Sequence, residues 1–114
     1  MMNGKRLFVL GIDGATFDII TPLIEKGLLP NFKKMIDNGT KSGFESIIPP
    51  LTAPAWASLQ TGCNPGKHGI YDFTLLDENW QTRFVNSKEL MERPFWLYLS
   101  EKGIKSMIVN VPLT

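Results

Sequence analysis

The sequence predicts an α/β fold, a three-layer sandwich around a mostly parallel sheet, on three observations. The apolar run Leu7–Ile12 does not alternate with polar residues, as expected of a strand buried on both faces. "SMIVNV", residues 106–111, has the same character near the other end. Between them, stretches with helical apolar spacing follow strand-like ones, the order that produces parallel sheets.

In chain order, Leu7–Ile12 is the first strand and Asp13-Gly14 ends it. A helix follows, capped by Thr16 or Asp18, with Ile19, Ile20, Leu23 and Ile24 on one face and Gly27 as its stop. Pro22 falls early in that helix, where proline is tolerated. A short second helix runs from Pro30 through Phe32, Met35 and Ile36 to Asn38-Gly39. Residues 43–48 read as a second strand, and a helix spans Pro54–Thr61. Gly62–Gly69 is a turn-rich loop. Residues 71–76 and 82–86, separated by Asp77-Glu78-Asn79, form a hairpin, and Ser87 begins a polar turn. "PFWLYLSEKG" is a helix with Pro94 at its first position and Gly103 at its end, and residues 106–111 form the last strand. No repeat, linker or low-complexity segment interrupts this order.

The totals bound the function. A chain of 114 residues suits one α/β unit, residues 1–114. Twelve basic against eleven acidic residues leave a net charge of +1, which gives no bulk attraction for nucleic acid or an anionic membrane. The single cysteine, Cys63, excludes an internal disulfide and a cysteine-built zinc site and fits a reducing compartment. The apolar run after the basic opening is too short for a signal-peptide core, and no stretch is long enough to cross a bilayer. The expected location is the cytoplasm.

Two oxygens are the main candidates for chemistry. Asp13 stands at the carboxyl end of the first predicted strand, where open α/β sheets bind ligands, and Gly11 and Gly14 leave room for an approaching group. It can ligate a metal, act as a phosphoryl-transfer nucleophile, or simply cap the next helix. The metal reading fits best, because a phosphoryl-accepting aspartate usually has a second acid two residues on, and Ala15 is there instead. Thr52 lies in "PPLTAPAWASLQTGCNPGKHG", residues 49–69, where the prolines keep the chain extended until Pro54. That puts Thr52 at the entry of a helix, where backbone N–H groups and the dipole attract an anion. A hydroxyl is a weak nucleophile without a base or a metal, and threonine is also a good helix cap, so both readings stand.

His68 is the only histidine, so it builds no metal site without partners; it reads as a loop-organising or substrate-side residue. Asp72 is a candidate partner for it. Cys63 reads as small and packed, Trp56 and Trp96 as core, and Trp80 as a tip contact. Lys33-Lys34, Lys102 and Lys105 read as solvated faces.

"LFVLGIDGATFD" followed by "PPLTAPAWASLQTGCNPGKHGIYDF" resembles the amino-terminal part of the alkaline phosphatase superfamily, in its nucleotide pyrophosphatase/type I phosphodiesterase branch. The matching positions are Asp13, Thr52, Pro54, Thr61-Gly62, Pro65 and His68-Gly69-Ile70, and "VNVPLT" is similar to a strand and turn of microbial members. The resemblance implies a hydrolase of phosphodiesters or phosphomonoesters with two divalent metal ions, usually zinc. It implies that Asp13 and Thr52 bind one of these metals and that Thr52 attacks phosphorus. In that branch an Asn follows the Asp after "HGI"; Phe73 stands there in this chain, so the substrate can differ. The remaining ligands of the family are Asp and His residues farther downstream. By that comparison the chain is expected to be the amino-terminal portion of a larger catalytic domain, with most ligands outside it.

Two other readings compete. One is a non-catalytic α/β binding or dimerisation module, a homo-oligomer that covers an open sheet edge. The other is a phosphotransferase with Asp13 as nucleophile. The hydrolase reading expects a phosphate-ester small molecule as substrate, with no nucleic acid and no membrane as partner.

Overall fold

A computed structural model describes residues 6–114, so the first five residues of the basic opening lie outside the described part. The chain divides into two compact units, Met1–Gly43 and Phe44–Thr114.

The first unit carries two helices, α1 (Phe17–Glu25) and α2 (Pro30–Asp37). Of the two caps expected for α1, Thr16 takes the position: its backbone is extended and its hydroxyl accepts from the Asp18 N–H at 3.3 Å. Gly27, at φ +73°, ends this segment in the left-handed region that favours glycine. Pro30 opens α2, and the Asn38 side chain closes it by donating to the Lys34 carbonyl at 2.8 Å. Lys41 lies over the Phe17 ring, 4.2 Å from its centroid. No side chain of α1 or α2 is fully buried.

The second unit holds α3 (Thr52–Thr61), a single turn α4 (Pro65–His68), β1 (Thr74–Leu76), β2 (Thr82–Phe84), a 3-10 turn (Ser87–Glu89) and α5 (Phe95–Glu101). Its core is Ala53, Ala57 and Ile70, with Val85, Leu90 and Leu113 packed against them. Ala53, Ala57 and Gln60 fall on one stripe of α3 at helical spacing, and all three are buried. The expected hairpin forms: β1 and β2 pair antiparallel with Thr74 opposite Phe84. Asp77 organises its turn by accepting from the N–H groups of Asn79 and Gln81. Trp80 stands exposed at the tip. The polar turn after it carries a capping box between Asn86 and Glu89. Arg83 reaches Glu89 at 2.6 Å and holds its carboxyl below the usual range.

The sheet differs from the expected one. Among the described residues it is this two-stranded antiparallel hairpin, so the architecture is mixed α/β with five helices, and no parallel three-layer sandwich appears. Residues 7–12, 43–48 and 106–111 carry no ladder, and their apolar side chains remain accessible, Phe8 at 85%, Phe44 at 97% and Met107 at 90%. An apolar run specifies a need for burial, but a strand exists only where a second strand meets its N–H and C=O groups. Two helix boundaries also move. Pro94 caps α5 from outside instead of occupying its first position. Helix α3 begins at Thr52, two residues before the expected start at Pro54. Proline in a first turn lacks only an N–H that has no intrahelical acceptor, so it does not prevent the turn from starting earlier. Among the described residues, no helix is long and apolar enough to cross a membrane.

Candidate functional site

The second unit builds its candidate site around the entry of α3. Leu51, extended at φ −105° and ψ 150°, occupies the cap position and supplies no side-chain cap. Its carbonyl accepts the first intrahelical bond, from Ala55 N–H at 3.1 Å. Thr52 is therefore the first helical residue and does not fill the capping role open to it from the sequence. It is half-buried. Pro54 carries no N–H, so the amide donors of this first turn come from Thr52 and Ala53. The buried stripe of α3 holds Ala53, Pro54, Ala57 and Gln60, and Pro54 lies about 200° around the axis from Thr52.

The loop after α3 is fixed by side chains the sequence had marked. The Thr61 hydroxyl donates to the Ala57 carbonyl at 2.7 Å and accepts from the Cys63 N–H at 3.2 Å. Gly62, at φ +69°, turns the chain out of the helix, and Pro65 starts α4. Cys63 is half-buried with a free thiol. His68 is completely buried. Its Nε2 lies 2.9 Å from the Ser58 hydroxyl, and its Nδ1 accepts from the Ile70 N–H at 3.1 Å. Burial pushes its pKa below the ordinary 6.5. Asp72, considered as its partner, is exposed and instead accepts from the Phe73 N–H at 2.6 Å.

Gly69 has φ +79°, the left-handed region that favours glycine in the "HGI" run, and a Cβ there would displace the flexible end of the exposed Met91 side chain, 2.9 Å away. The Met91 N–H bonds the His68 carbonyl at 3.0 Å, which ties the loop to the segment after the hairpin. Phe73, at the position where the related branch has Asn, is partly exposed, and its carbonyl accepts from Val85 N–H at 2.9 Å.

Asp13 belongs to the first unit. It sits in an exposed turn in which Ala15 N–H reaches the Ile12 carbonyl at 3.4 Å and Gly14 has φ +66°. Thr16 caps α1, so Asp13 is not the cap of that helix. Among the described residues, no group of three or more His, Cys, Asp or Glu side chains could hold a metal ion. Asp13 in the first unit and Thr52 in the second each offer an oxygen of the kind that suits a hard or borderline cation.

Two residues of this region escaped the sequence reading. Ser58 partners His68 from ten positions away, and no local pattern marks that pairing. Gln60 is buried and donates to the Pro112 carbonyl at 3.1 Å, while its Oε1 has no protein partner. Its place on the apolar stripe of α3 was the available signal.

The family model for type I phosphodiesterase/nucleotide pyrophosphatase matches residues 7–114. No solved structure matches the chain.

Proposed function

Because the chain belongs to the type I phosphodiesterase/nucleotide pyrophosphatase family, whose members hydrolyse phosphate esters and generally depend on metal, we propose that Thr52 is the nucleophile of a phosphodiester or phosphomonoester hydrolase. The chain would supply the amino-terminal portion of the catalytic domain. The observation that carries this reading is the place of Thr52: a half-buried threonine at the first residue of α3, with the cap position taken by Leu51.

In the proposed reaction the Thr52 oxygen attacks phosphorus. The new O–P bond forms as the ester O–P bond breaks, the leaving oxygen departs with the ester's other substituent, and the hydroxyl proton passes to solvent. Water then cleaves the phosphothreonine, which releases phosphate or its monoester and restores the hydroxyl. The dipole of α3 and the amide donors of its first turn favour the negative charge on the phosphoryl group. Asp13 and Thr52 would each contribute one oxygen to a divalent ion, zinc in this proposal, with the other ligands and a second ion's site supplied from outside these 114 residues. Such an ion, when bound, lowers the pKa of a ligating oxygen and neutralises phosphoryl charge.

The test is Thr52→Ala in the full-length enzyme. Hydrolysis of a nitrophenyl phosphodiester should fall by about 10³-fold or more. Retention of wild-type turnover would overturn the assignment.

A further inference from the structure

We propose that His68 is a positioning residue: as a neutral imidazole with its proton on Nε2, it donates to Ser58 and fixes the rotation of the helix that begins at Thr52. For its kinetic consequence this rests on Thr52 being the nucleophile; the tautomer and the bond do not.

The tautomer follows from the bonding. A ring nitrogen that accepts from an amide N–H carries no proton, and Nδ1 accepts from Ile70 at 3.1 Å. The proton of the neutral ring is therefore on Nε2, which lies 2.9 Å from Ser58 Oγ. His68 thus holds α3 at Ser58, and its own carbonyl is held by the Met91 N–H. The two bonds of the ring differ in kind. The bond from Ile70 is local and shapes the loop, whereas the bond to Ser58 joins that loop to α3.

Ser58 lies six residues, about 240° around the helix axis, from Thr52, so His68 braces α3 away from the face that carries Thr52. Side-chain atoms sit about 5 Å from a helix axis, so a rotation of about 10° moves them by about 1 Å. A displacement of that size at a reacting atom can cost about 10²-fold in rate. A brace on the far side of the helix changes kcat and leaves the affinity for substrate largely alone.

The experiment separates the two bonds in the full-length, metal-loaded enzyme. His68→Asn keeps an acceptor near the Nδ1 position for Ile70 and loses the donor to Ser58. His68→Gln keeps a donor near the Nε2 position. His68→Asn and Ser58→Ala should each lower kcat on a nitrophenyl phosphodiester by about 10- to 100-fold, with KM within about threefold. The double variant should be no slower than the worse single one. His68→Gln should stay within about fivefold of wild type. If His68→Asn keeps wild-type kcat, or His68→Gln is as slow as His68→Asn, the bond to Ser58 does no positioning and the proposal is overturned.

A ¹⁵N spectrum of the histidine ring, assigned by its loss in His68→Gln, provides a readout that needs no active variant. It should show Nε2 protonated and Nδ1 unprotonated at neutral pH; the opposite tautomer overturns the proposal even where the variants fail to fold. Should Thr52→Ala retain activity while the spectrum shows the expected tautomer, the nucleophile assignment alone has failed.

Discussion

Helices α1 and α3 both begin beside a threonine, and the two threonines occupy different positions. At α1, Thr16 is the extended residue just outside the helix, and its hydroxyl accepts from the Asp18 N–H. At α3, the chain has shifted by one position: leucine caps and threonine is the first helical residue. Behind the entries the contrast widens. No side chain of α1 is fully buried, whereas α3 buries Ala53, Pro54, Ala57 and Gln60 and is held by His68. A capping threonine stabilises a helix that has little packing to rely on. At α3 the threonine stands one position inside the helix, on an element held by His68, and the nucleophile role proposed for it calls for a group that is held still.

The largest test of this contrast is to truncate each threonine to alanine. Thr52→Ala should remove turnover by about 10³-fold while changing unfolding free energy by less than about 1 kcal/mol. Comparable losses of stability at both threonines would erase the distinction. Gly69→Ala comes next. It places a Cβ on a residue in the left-handed conformation, so it should cost about 1–3 kcal/mol in denaturant unfolding. An unchanged midpoint would show that the loop behind α3 is not rigid. Thr16→Ala follows, at about 1 kcal/mol from the lost cap, with no effect on kcat; a kinetic effect there would mean that α1 contributes more than a scaffold.

The sequence revealed the helices better than the sheet, for a physical reason. Helix signals are local: Thr16, Gly27, Pro30 and Asn38 mark ends within a few residues of the bonds they make. The hairpin was equally legible, because Asp77 and the polar turn residues are adjacent to the strands they join. The runs 7–12, 43–48 and 106–111 show burial demand only, and strand pairing depends on segments far apart in sequence. At the candidate site, Thr52, Gly62, Pro65 and Gly69 stood out through turn chemistry and through resemblance to a family. The displaced cap was not legible, since the prolines on either side of Thr52 argued for an extended chain up to Pro54. The pairing of Ser58 with His68 was hidden because ten residues and a turn separate them.

The smallest effect sharpens the comparison by pH. His68 is buried against α3 and its pKa lies below the ordinary 6.5, so the unfolded chain takes up a proton first as pH falls. The contribution of His68 to stability is full above about pH 6.5, shrinks as pH falls from there to the depressed folded value, and is constant below it. Protonation of Nδ1 also removes the acceptor for the Ile70 N–H, so the imidazolium is opposed by a lost bond as well as by burial. Thermal unfolding of wild type and His68→Gln, compared between pH 7.5 and 5, should give a difference that narrows toward the acid side. A histidine serving as a solvated surface group would leave that difference flat, and α3 would then lack the buried brace that distinguishes it from α1.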